Sequence, residues 1–138
     1  MKKIISASIS LTLVLTLILC LASCTSTALK EGLWETAIYT EDTTLGDGAK
    51  TAVVEFQIGE DKITLTLKTD KETLGDALNE HGLLEGKDGL YTKINGVTAD
   101  YNVDKSYWGF YINGEYAMTG IDDTAIDESV TYSLVYTK

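Results

Sequence analysis

Residues able to make or break bonds are scarce in this 138-residue chain: two cysteines, one histidine and no arginine stand among 21 acids and 11 lysines. Cys24 has the clearest chemical assignment. Lys2 and Lys3 precede an uncharged run over 4–22, which closes on Leu21-Ala22-Ser23-Cys24, the layout of a secretory signal ending in a bacterial lipobox. The small side chains of Ala22 and Ser23 suit a signal-peptidase cleft, and the Cys24 thiol is the atom that would take the diacylglycerol. Cys20 is a poor rival because the bulky Leu19 directly precedes it. The alternative is an uncleaved anchor, since the run is just long enough to span a bilayer. Either way the chain is expected to be tethered to a membrane.

The remaining reactive groups do not assemble into a catalytic set. His81 is alone, so a serine nucleophile would lack its base, and no nucleophile-elbow motif occurs. His81 could ligate a metal such as a corrinoid cobalt. Its place in the last turn of a short helix, where a cation meets the negative end of the helix dipole, instead suggests a structural role. Asp122, Asp123, Asp127 and Glu128 could gather a cation, but they also fit the turns and surface of a very acidic chain. Asp42 and Asp47 lack the alternating oxygen spacing and closing glutamate of a calcium loop. Paired carboxylates for glycoside chemistry have no local signature, and a small single-helix domain without an evident cleft is a poor host for them. The expectation is a protein with no catalytic residue, no metal site and no required cofactor.

What the chain does concentrate is aromatic surface. Tyr107, Trp108, Phe110, Tyr111 and Tyr116 fall within eleven positions, interrupted by Asn113-Gly114, a dipeptide suited to the type I′ turn of a two-residue hairpin. Strict alternation sends Trp108, Phe110 and Ile112 to one face, read as core, and Tyr107, Gly109 and Tyr111 to the other. Gly109 then leaves a gap between two tyrosines, where a flat group or a neighbouring backbone could approach closely.

The elements that must hold this hairpin can be read in order. Residues 1–23 form the signal and 24–33 a lipidated, small and polar tether. Residues 34–138 form one domain, with its core over 51–138. Trp34–Thr40 is a first strand or a docked arm, and Glu41–Lys50 a loop. Thr51–Ile58 and Ile63–Lys68 alternate as two half-buried strands joined by a tight turn. Thr73 caps a short helix that presents Leu74, Ala77, Leu78 and His81 on one side and leaves through Gly82. Leu90–Ile94 is a strand ending in Asn95-Gly96, Val97–Val103 a weak return or loop, Ala117–Ile126 irregular, and Val130–Thr137 a last strand. The class is α+β: a β-grasp-like mixed sheet with one short helix packed on it and several β-hairpins.

The formal net charge is −10, and the signal holds two lysines and no acid, so removing it leaves the rest more acidic still. Such a chain repels nucleic acid and anionic membrane surfaces, and without arginine it has no bidentate fork for phosphate. A lipid, rather than charge, would hold it at the membrane. Cleavage and acylation would also use up both thiols, leaving the fold to its core alone.

Three segments, Thr73-Leu74-Gly75-Asp76-Ala77-Leu78, Tyr91 to Gly96 and Tyr107 to Gly114, together with Gly120-Ile121, make the chain resemble the DUF4430 domain family. That family is similar to the C-terminal β domain of transcobalamin and intrinsic factor, and the resemblance covers roughly 51–138. In the animal carriers that domain covers one face of the corrinoid and a larger helical domain, absent from this sequence, holds the rest. The resemblance implies ligand contacts at Tyr107 and Trp108 and in the segment from Tyr116 to Gly120, and a cobamide as ligand. The alternation argument favours Tyr107 and Tyr111. An apolar corrinoid edge would suit Tyr107, Tyr111, Tyr116 and Met118. This chain departs from the family at Asp127-Glu128-Ser129, where an Asp-Gly-Asp-like turn is usual.

Two functions of different class follow. One is an extracytoplasmic lipoprotein that binds a small ligand, with an importer or another surface protein as partner. The other is a protein-interaction module whose tyrosine face docks a surface protein or whose sheet edge takes a peptide.

Overall fold

The computed structural model describes residues 32–138. The signal, Cys24 and most of the tether therefore lie outside the described residues. Nine strands and two short helices follow in order: β1 (Thr43–Gly46), β2 (Lys50–Ile58), β3 (Asp61–Thr69), α1 (Leu74–Glu80), β4 (Leu84–Lys87), β5 (Leu90–Ile94), β6 (Val97–Thr98), α2 (Tyr101–Asp104), β7 (Tyr107–Ile112), β8 (Glu115–Tyr116) and β9 (Thr131–Thr137). A six-stranded sheet runs β1-β3-β2-β9-β7-β8 and a three-stranded sheet runs β4-β5-β6. The larger sheet is mixed, because β1 pairs parallel to β3 and β2 parallel to β9. The expected α+β class is thus present, mostly β with a small helical part, together with a second sheet that the alternation pattern did not reveal.

Period-two burial explains the central strands. Ala52, Val54 and Phe56 of β2 and Ile63, Leu65 and Leu67 of β3 are buried, and they meet Tyr132 and Leu134 of β9 in one apolar cluster. Fully burying side chains of this size contributes roughly 1.5–3 kcal/mol each against leaving them in water. The helix ends as its residues dictate. Thr73 Oγ1 accepts from Asp76 N at 3.2 Å at the start. At the end Gly82 N donates to Asn79 O and Leu83 N to Leu78 O, with Gly82 at φ 66°, the paired bonds of a Schellman stop. Leu74, Ala77 and Leu78 join the core cluster, so packing rather than propensity sustains this two-turn helix.

Three segments differ from expectation. Glu41–Lys50 is not all loop: Thr43–Gly46 forms β1 beside β3, and Asp42 Oδ1 accepts from Thr64 N at 2.8 Å. Trp34–Thr40 is a docked arm and not a strand. A 3-10 turn over Gly32–Thr36 buries Trp34 to 3% exposure. Asn95, itself buried, clamps the arm by exchanging side-chain bonds with Tyr39 N and Tyr39 O, both at 2.9 Å, while its carbonyl accepts from Ile38 N. The weak return after Gly96 holds β6 and then α2, capped by Asp100 accepting from Asn102 N at 2.9 Å and closed by Lys105 at φ 65°. Both expected Asn-Gly turns are in place, with Asn95 and Asn113 at φ 49° and 50° and their glycines at 80°.

Candidate functional site

Strand β7 is where the aromatic residues become a site. Its core face follows the alternation: Phe110 stacks on Tyr132 at 6.3 Å between centroids, Trp108 meets Tyr136 edge-on at 5.7 Å, and Trp108 and Ile112 pack against the core cluster. Trp108 also reaches the smaller sheet, its indole Nε1 donating to Val97 O at 3.1 Å. Between β7 and β5 lies a groove of about 450 Å³. Tyr107, Trp108 and Phe110 line it from β7, Leu90, Tyr91 and Ile94 from β5, Tyr101 from α2, and Tyr116 to Ile121 in part from the segment after the hairpin. That volume falls in the range of small-molecule pockets, and an apolar lining with a few polar groups is their usual make-up.

Of the residues singled out in the sequence, Tyr107, Trp108, Tyr116 and Gly120 come together on this groove, whereas Tyr111 and Met118 do not line it. The grouping follows the resemblance more closely than the alternation. Gly109 does not leave an open gap, since a Cβ there would lie 2.9 Å from Tyr111 Cε2. The Tyr111 ring fills that space and meets Tyr116 edge-on at 5.5 Å. Tyr111 therefore supports a groove residue from outside. Met118 is 96% exposed.

The rim is built by the segment after Met118. Leu74 N donates to Thr124 O at 2.8 Å and Gly75 N to Ile121 O at 3.1 Å, so the first-turn donors of α1, which have no partner within the helix, are met by this segment. A Cβ on Gly75 would come within 2.8 Å of Asp122 Cα, so glycine permits the close approach. Asp122 Oδ1 in turn accepts from Tyr91 Oη at 2.5 Å. Burial, and next that bond to Asp122, hold the Tyr91 phenol above its ordinary pKa. On the opposite side the Ser106 hydroxyl donates to Asp104 Oδ1, which with the Lys138 ammonium keeps the Asp104 carboxyl below the usual carboxylate range.

His81 lies outside the groove, with its Nε2 buried and without a hydrogen-bond partner and close to where a Gly46 side chain would stand. Two of the other acids are engaged elsewhere: Asp127 Oδ1 accepts from Ser129 N and Oγ in a local turn, and Glu128 Oε1 accepts from Thr51 N of β2. Among the described residues no three His, Cys, Asp or Glu side chains gather in a way that could hold a metal ion. Phe110, read as core, also lines the groove, and Tyr91 and Tyr101 are aromatic site residues that sequence reasoning missed. Their only signal was a tyrosine at each end of the segment over 91–101, and its meaning depends on the unforeseen second sheet.

Residues 71–131, which include α1, β5, α2, β7 and the segment after the hairpin, match the family model described as a domain of unknown function, DUF4430. That match is narrower than the resemblance over 51–138. Among solved structures, one from Ruminococcus gnavus presented as a candidate metal binding protein is 23% identical, with a TM-score of 0.60, and the match covers 65% of this chain and 98% of that one. Haptocorrin in complex with Cbi (cobinamide) is 15% identical with a TM-score of 0.50, the match covering 64% of this chain and 25% of haptocorrin. These likenesses show a shared fold. No curated protein matches the sequence.

Proposed function

We propose that this DUF4430-bearing chain is a membrane-anchored, extracytoplasmic lipoprotein that binds a small ligand through the aromatic β7–β5 groove, with a cobamide as the specific candidate. The observation that carries the reading is the convergence of Tyr91, Tyr101, Tyr107, Trp108, Phe110 and Tyr116 on one groove. The shared fold with haptocorrin, a protein seen with cobinamide, supports the choice of ligand. The role is binding and not bond chemistry, and it requires no cofactor.

Titration calorimetry of the purified protein with cobinamide and cobalamin tests the ligand. A one-sided groove offsets the loss of ligand freedom with few contacts, so affinity no tighter than roughly micromolar, about 8 kcal/mol, is expected. Absence of heat with every corrinoid, alongside capture of a surface protein, would transfer the function to the interaction module. A specific feature favours that second reading: Leu90, Tyr101, Tyr107 and Tyr116 line the groove yet are 75%, 58%, 43% and 65% exposed, an apolar rim of the kind that marks interaction sites.

The anchor has its own test. Labelled fatty acid is expected to enter the wild type and not Cys24→Ser, and that variant should accumulate as a longer precursor. Label retained by Cys24→Ser would remove the lipid from the proposal.

A further inference from the structure

We infer that the groove selects for cationic ligands and rejects anionic ones, so that among flat molecules of one shape it takes the organic cation. The inference rests on the groove being the binding site, as proposed above, and adds the charge class of what enters it. The first ground is that no lining side chain carries a formal charge. A charged ligand of either sign meets no counter-ion among the lining side chains, and burying an unpaired charge is costly, so the ring faces and the rim decide which sign is tolerated.

The second ground is where the lining donors point. The Tyr91 hydroxyl donates to Asp122 Oδ1, the Ser106 hydroxyl to Asp104 Oδ1 and the Trp108 indole N–H to Val97 O. These three donors are already engaged with protein acceptors, so an anion would have to displace those bonds to use them. The negative face of an aromatic ring attracts a cation and repels an anion. One cation already exploits this, since the Lys105 ammonium rests 4.7 Å from the centroid of Tyr101, a lining residue.

The third ground is the field. Asp122 stands at one rim, with Oδ2 close to where a Gly89 side chain would be, and Asp76 also acts on Tyr91. Lys138 compensates Asp104 at 3.1 Å on the other side, whereas Lys105, whose ammonium sits on Tyr101, is a positive charge that opposes this field. The whole chain has a formal net charge of −10, which raises the local concentration of cations and lowers that of anions.

The test uses one tricyclic ring in three charge states: N-methylacridinium, acridine and acridine-9-carboxylate, titrated into the full-length protein at a pH where acridine is neutral. The Trp108→Ala variant corrects for dye taken up elsewhere. The cation is expected to bind about fivefold tighter than the neutral ring, with the carboxylate weakest. Asp122→Asn keeps an acceptor for Tyr91 and should reduce the cation's advantage by about threefold, as should high salt. Equal or tighter binding of the carboxylate, or a cation advantage untouched by Asp122→Asn, would overturn the inference. So would failure of all three dyes to bind while cobinamide still gives heat, an outcome that leaves the binding groove itself standing.

Discussion

Tyr132→Ala is expected to destabilise the domain by about 4 kcal/mol, as for other large aromatic truncations in cores, a large share of the roughly 5–15 kcal/mol that holds a domain folded. Tyr132 is 1% exposed and lies on β9 between Val54 of β2 and Ile112 of β7. Its ring stacks on Phe110. Its hydroxyl donates to Ala125 O at 3.1 Å and accepts from Asp127 N at 2.8 Å, tying the last strand to the segment before it. Tyr132→Phe should therefore cost about 1–3 kcal/mol although the ring remains, because a donor and an acceptor lose their partner. Urea unfolding followed by circular dichroism reads both. A Tyr132→Phe variant that melts with the wild type would show that the hydroxyl carries no structural weight.

Trp108→Ala should have the largest combined effect on fold and function. The indole packs against the core, meets Tyr136, bonds to Val97 of the smaller sheet and forms part of the groove. Its removal is expected to cost about 3 kcal/mol in stability and at least about tenfold in affinity, equivalent to 1.4 kcal/mol. Tyr107→Ala should weaken binding with a small loss of stability, because that ring is 43% exposed. Tyr111→Ala removes only a ring beside Tyr116, so its effect on binding should be the smaller of the two. Binding isotherms and melts on the three variants decide the matter. Full affinity in Trp108→Ala, with Tyr111→Ala inactive, would move the site to the other face of β7.

Where a short local signal determines a structure, that structure was legible in the sequence. Asn95-Gly96 and Asn113-Gly114 prescribe positive φ at consecutive residues, and Thr73 and Gly82 bracket a helix whose bonds close as their types require. Strand β1 was hidden because Thr-Thr-Leu-Gly contains one large apolar residue among glycines and acids. It exists through its pairing with β3. Strand β4 was hidden for a similar reason, with Leu84 alone buried and a register shift at Glu85/Gly86. Missing β4 meant missing the smaller sheet, and with it the wall that Tyr91 supplies. Half of the groove was thus in view from the aromatic hairpin. The other half depends on contacts between residues far apart in sequence, which no periodicity records.

The bonds from Leu74 and Gly75 to the carbonyls of Thr124 and Ile121 bear on how this site breathes. Local opening in a protein proceeds in cooperative units, and a segment detaches alone only where few bonds tie it down. Here the rim of the groove cannot lift without uncapping the first turn of the helix. That turn is rooted in the core through Leu74, which is fully buried. Opening of the rim is therefore linked to sub-global unfolding and stays rare. In the proposed binding role, that wall would stand in its final shape before any ligand arrives.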